Sequence, residues 1–181
     1  MQLKECDEQI VALAGGDDDA LRILYTGLSS AVYNLAFSIV KSRELAEDVM
    51  QDTFIKVKTH AASYRPGTNS KAWILTIARN LAITALRKGA YEYSADYLEE
   101  TGATELSSSG RVATTVENSV LVEKALAVLS DTDRQIVMLH IVGGLKHREI
   151  SEMMSIPLGS VLWKYSNALK KMSKYLNQSS G

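Results

Sequence analysis

Five Lys or Arg residues and no Asp or Glu fall between Ala61 and Ala90, in a chain whose formal charge is only -1. Arg65 and Lys71 flank the loop sequence PGTNS. Arg79, Arg87 and Lys88 follow in a run that also holds Trp73, Ile74, Ile77, Leu81 and Ile83. A helix of this composition packs one face through its apolar residues and offers Arg79, Asn80, Arg87 and Lys88 to solvent or to a polyanion. The stretch therefore reads as a local anion-binding surface.

A second basic island lies between Gly159 and Leu176, where four Lys occur without an acid. The remainder is acidic: residues 1 to 60 hold ten acids and six bases, and residues 91 to 120 hold six acids and one base. Affinity for duplex DNA comes largely from neutralised phosphates and released counterions. Two small islands in a near-neutral chain predict weak DNA binding alone and dependence on a larger partner. Within the acidic part, Asp48, Gln51 and Asp52 stand three and four residues apart and share one helical face.

Catalytic chemistry is poorly served. His60, His140 and His147 are scattered, with no pair at i and i+4, and no Ser or Cys sits in a nucleophile-like setting. Gly15 and Gly16 precede three Asp but lack the Lys-Ser/Thr of a phosphate loop. Cys6, the only cysteine, excludes a disulfide framework and a thiolate metal site, and is expected as a half-buried or exposed thiol near a frayed end. The reading is a non-enzyme with no cofactor and no metal.

The elements that must position these residues all read as helices. Apolar residues recur at helical spacing from Ala20 to Val40, after capping Asp17, Asp18 and Asp19. Further helices are expected from Arg43 to about His60 and from about Ser70 to Lys88. No sustained period-two alternation marks a strand. The Ser, Thr, Gly and Glu-rich stretch from Glu99 to Asn118 reads as a flexible linker. Beyond it come a short helix over Val122 to Leu129, one opened by Ser130 with Asp133 and ending at Ile141, another over Lys146 to Met154, the turn SIPLG, and a last helix over Gly159 to Tyr175. A short helix, a tight turn and a basic helix describe a helix-turn-helix whose second helix enters the major groove. Ile150, Met154, Ile156, Val161 and Leu169 read as its small core. The 181 residues, 46% hydrophobic, suit two small cores. No apolar run approaches the roughly 18 residues that span a bilayer, and MQLKECDEQI is too polar for a signal peptide, so a cytoplasmic protein is expected.

Three stretches in this order, AEDVMQDTFIKV, SYRPGTNSKAWILTIARNLAITALRK and LSDTDRQIVMLHIVGGLKHREISEMMSIPLGSV, resemble bacterial sigma factors of the extracytoplasmic-function type, built from the second and fourth sigma domains. The resemblance implies an all-α protein of two small helical domains joined by a flexible linker: residues 1–90, a linker over 91–119, residues 120–176, and a tail over 177–181. It implies a promoter-specificity subunit that binds core RNA polymerase and promoter DNA and is restrained by an anti-sigma factor. Asp48, Gln51 and Asp52 would dock on a basic coiled coil of the large polymerase subunit; taken alone, they also fit an ordinary solvated face. The loop would capture a base flipped from the minus-10 element, with Tyr64, Arg65, Asn69, Ser70 and Lys71 as contacts and Trp73 as a stacking surface or a packing anchor. Asn80 beside Arg79 would serve the same strand, and Arg87 and Lys88 its phosphates.

The last helix departs from the family pattern, placing Leu162, Trp163 and Lys164 where many members carry Lys, Ser and Arg. Ser160, Lys164, Ser166 and Asn167 remain as base-edge readers of the minus-35 element, with Lys170, Lys171 and Lys174 at phosphates. Trp163 and Tyr165 fit thymine methyls and sugars, or burial against the polymerase or an inhibitor. Two rival functions share some of these features: a helix-turn-helix regulator acting without polymerase, and a sigma mimic that titrates an anti-sigma factor. Transcription in vitro with core polymerase separates them from a sigma factor.

Overall fold

The computed structural model describes residues 1–96 and 116–179. Eight α-helices are described: α1 (Leu3–Ala14), α2 (Asp18–Val40), α3 (Arg43–His60), α4 (Ser70–Asp96), α5 (Val116–Ala127), α6 (Asp131–Ile141), α7 (His147–Met154) and α8 (Leu158–Ser179), with a 3-10 turn at Ala61–Ser63. No strand occurs among the described residues. The expected linker falls mainly on residues 97–115, outside the described residues; its flanks at 91–96 and 116–119 are helical.

Local chemistry starts these helices where the sequence indicates. The Asp17 carboxylate accepts from Asp19 N at 3.0 Å, Ser42 Oγ from Leu45 N at 3.3 Å and Ser130 Oγ from Asp133 N at 3.2 Å. Each bond satisfies a donor that the first helical turn leaves unpaired. Asn69 starts α4 in the same way, accepting from Ala72 N at 2.9 Å. Gly144 turns the chain after α6 with φ of 69°, a conformation that costs glycine nothing.

Helices α1 to α4 bury Ile10, Leu24, Leu28, Val32, Leu35, Phe54, Val57 and Ile74 among themselves. Two expectations change here. The N-terminus is a helix, and Cys6 is fully buried on it with Ile10 and Leu13, so burial pushes its thiol pKa up. By length and composition α2 is apolar enough to cross a bilayer, but Leu24, Leu28, Val32, Leu35 and Ile39 lie inside the bundle, where they form its centre.

The two halves share a core instead of keeping two. One apolar cluster runs from α1–α4 into Ile136, Leu139, Leu145, Ile150 and Val161, and a small satellite of Leu129, Val137 and Ala168 lies under α8. Gly143 permits this approach, since a Cβ there would stand 2.6 Å from Leu139 O and 2.8 Å from Leu75 Cδ1. Arg134 locks the joint. Its buried guanidinium donates to Leu126 O, Leu129 O and Asp131 Oδ1 within its own half and to Ser38 O across the joint, at 2.9 to 3.3 Å. A buried charge supplied with four acceptors avoids the penalty of an unpaired one.

Candidate nucleic-acid and protein interfaces

On α3, Ala46, Val49, Thr53, Phe54 and Val57 turn inward. Asp48, Gln51 and Asp52 are left exposed together on the opposite side, as their spacing predicts. Two residues that the sequence reading passed over complete this face. Ile55 is 60% exposed and Leu45 is also open, at i+3 from Asp52 and i-3 from Asp48. The readable signal was that both stand off the 46, 49, 53, 57 stripe. Glu47 and Gln51 also line a groove with Tyr25, Ser29, Ser30, Tyr33 and Met50 between α2 and α3, where Tyr25 leans on Phe54 at 4.9 Å. Carboxylates and an amide flanked by exposed apolar side chains suit a basic, amphipathic helical partner.

The loop before α4 is held from beneath. Tyr64 is only 6% exposed; its hydroxyl donates to Asp7, lies 3.0 Å from Thr68 O, and its ring tilts on Trp73 at 5.3 Å. Ser70 is fully buried and donates to Leu3 O at 3.2 Å. Both tie the loop to α1. Arg65 is exposed, with Lys71 and Trp73 half-buried. Along α4, Asn80, Arg87 and Lys88 are open to solvent.

Asn69 and Arg79 face the other half of the molecule. Asn69 Nδ2 donates to Glu149 Oε1 at 2.7 Å, and Arg79 Nε to Gln135 Oε1 at 2.9 Å. Desolvation in that joint lowers the Arg79 pKa from its ordinary value. Lys41, in the left-handed conformation that ends α2, sets its ammonium 3.2 Å from Asp131. That hydrogen bond holds the Asp131 carboxyl below its usual range, with Arg134 adding to the effect.

Helices α7 and α8 form the expected helix-turn-helix, turned by Ser155 in the left-handed region. Ile150 and Val161 are fully buried at its centre and Met154 and Ile156 pack against the core, whereas Leu169, expected inside, is 38% exposed. On α8, Ser160, Ser166, Lys170, Lys171 and Lys174 are exposed and Asn167 is half-buried. Lys164 is tethered, its ammonium 3.3 Å from Asp133 Oδ1, with Lys171 at 3.9 Å from the other oxygen. Tyr165 packs edge-on against both His140 and His147 at 4.8 and 4.7 Å. Those two histidines, far apart as sequence motifs, stack at 4.2 Å because α6 and α7 fold back on each other. His140 Nδ1 meets Leu145 O at 2.8 Å, and His147 Nε2 is buried without a hydrogen-bond partner. Among the described residues no cluster of three metal-ligating side chains occurs.

Residues 24–91 match the family described as Sigma-70 region 2, and residues 119–172 match Sigma-70, region 4. The chain is similar to the ECF RNA polymerase sigma factor SigW of Bacillus subtilis, at 24% identity covering 93% of this chain and 95% of that protein. It is 25% identical to the ECF RNA polymerase sigma factor SigK of Mycobacterium tuberculosis, covering 97% of this chain and 95% of that one. In fold it is similar to CnrH, solved in complex with the cytosolic domain of CnrY, with a TM-score of 0.70 at 20% identity over 96% of this chain and 98% of that chain. It is likewise similar to the sigma factor RpoE solved with the anti-sigma factor NepR from Bartonella quintana, with a TM-score of 0.69 at 24% identity over 86% of this chain and 96% of that chain.

Proposed function

The chain belongs to the sigma-70 family, in its two-region extracytoplasmic-function form, and on that premise we propose that it is a promoter-specificity subunit of RNA polymerase. It binds core polymerase through the α3 face of Leu45, Asp48, Gln51, Asp52 and Ile55. It engages the minus-10 strand through the loop at Arg65 to Lys71 and through Asn80, Arg87 and Lys88, and the minus-35 duplex through α8. The protein acts in the cytoplasm, by binding and not by catalysis.

One observation carries this reading: the chain matches region 2 and then region 4, with an exposed acidic face on α3 and exposed basic residues on α4 and α8. A helix-turn-helix regulator acting alone has no use for the α3 face. The near-neutral charge supports the same division, with most phosphate contacts left to the larger enzyme. An anti-sigma factor restrains it, a reading supported by the fold neighbour solved with one.

The test is transcription in vitro with core polymerase and a promoter library. Factor-dependent transcripts are expected. A protein that binds duplex sequence-specifically without core and yields no transcript with it would reject the assignment.

A further inference from the structure

The residues of α8 that face outward differ from those that charge alone selects. Val161 and Ala168 are fully buried. Lys164 is held inward by Asp133, whose side chain is only 10% exposed, and Tyr165 is held by the two histidines. Near the start of the helix Leu158, Ser160, Leu162, Trp163 and Ser166 face solvent, with Trp163 at 66% exposure. One and two turns beyond Ser166 come Lys170 and Lys174, and no acid occurs from Gly159 to Leu176.

This arrangement suits DNA of a particular kind. Lysines on the later turns complement phosphates at the groove wall, while the first turns, which enter a major groove deepest, present apolar surface. The only methyl group on a base edge in the major groove is the thymine C5-methyl, and beside it stands the O4 acceptor. Trp163 offers the matching pair: a large apolar ring and one N–H donor.

Resting on the promoter-specificity function above, we propose that Trp163, seconded by Leu162, is the specificity-determining residue of this helix-turn-helix and reads the methyl edge of thymine in the minus-35 element. Lys164 then acts as a positioning residue that braces α8 on α6 through Asp133. The inwardly held Tyr165 contributes the aromatic wall behind α8 and no base contact.

The experiment reconstitutes holoenzyme with core polymerase and selects from a promoter library randomised at minus-35, synthesised once with thymidine and once with deoxyuridine, which keeps O4 and lacks the methyl. Wild type is expected to enrich thymine at one or two adjacent positions, and to bind the selected duplex about fourfold less well for each methyl removed. Trp163→Ala should lose that enrichment and become indifferent to uracil, and Leu162→Ala should weaken it; both positions are exposed, so folding is preserved, as circular dichroism would check. Transcription that proceeds with equal use of thymine and uracil would overturn the inference and leave the sigma assignment standing. A Trp163→Ala protein that keeps thymine enrichment but loses affinity for core polymerase would overturn it in favour of a protein contact. No transcription from either library would overturn both.

Discussion

Ile55 shows how a single exposed side chain changes the meaning of its neighbours. Asp48 and Asp52 alone fit a solvated acidic face, and an isoleucine 60% open beside them fits the proposed contact surface. Asp48→Lys with Asp52→Lys is expected to abolish core-polymerase binding with helical content unchanged, because like charges would then meet across the contact. Ile55→Ala should weaken the same titration by roughly 1 kcal/mol, about fivefold, with no loss of thermal stability. The histidine pair makes a different residue-level prediction. Desolvation first, and then His140, lower the His147 pKa from its usual value near 6.5. The unfolded chain therefore takes up that proton more readily than the folded one, and stability present above about pH 6.5 is lost as pH falls below it. Melting followed from pH 7.5 to 5 should show this decline, and His147→Phe, which keeps the stacked ring and removes the proton site, should flatten it.

At the scale of elements, α4 and α8 are expected to fail differently when damaged. Asn80 is exposed on α4 and free of the joint between the halves, so Asn80→Ala should leave recruitment to duplex intact and impair strand opening, read by permanganate reactivity near the start site. Lys170→Ala and Lys174→Ala on α8 should instead weaken duplex recruitment uniformly across sequences, each lowering the slope of log affinity against log salt by about 1. The turn between α6 and α7 has its own requirement. Gly143→Ala would drive a methyl into Leu139 O and Leu75 Cδ1 and should cost about 1 to 3 kcal/mol in urea unfolding.

At the scale of the whole molecule, the two halves close over part of the surface assigned to minus-10 DNA. Asn69 is engaged by Glu149 and Arg79 by Gln135, while Arg134 and Asp131 clasp the end of α2 through Ser38 and Lys41. If the loop engages DNA as proposed, Asn69 becomes available only when its bond to Glu149 breaks. Asn69→Cys with Glu149→Cys, bridged by a bismaleimide carrying a reducible disulfide, is expected to lower promoter opening at least tenfold, with recovery on reduction. Cys6 is fully buried and should not compete for the reagent. Undiminished opening by the bridged protein would show that the closed arrangement is compatible with minus-10 engagement.

What the sequence determined by itself was local in origin. Apolar spacing at 3.6 residues, side-chain caps at Asp17, Ser42 and Ser130, and the glycine turn after Ile141 each depend on neighbours within one or two helical turns, and the helices begin where those signals stand. The exposed triad on α3 and the helix-turn-helix were legible for the same reason, as was the family through its three motifs. The tertiary structure decided which polar side chains were still available. Tyr64 is held by Asp7 across 57 residues, Ser70 by Leu3 across 67, Asn69 by Glu149 across 80 and Arg134 by Ser38 across 96. A tyrosine in a polar loop or a lysine on a basic helix looks identical in sequence whether it faces solvent or a partner far along the chain. Burial and pairing are set by where the helices pack, and helix periodicity carries no record of its distant partners.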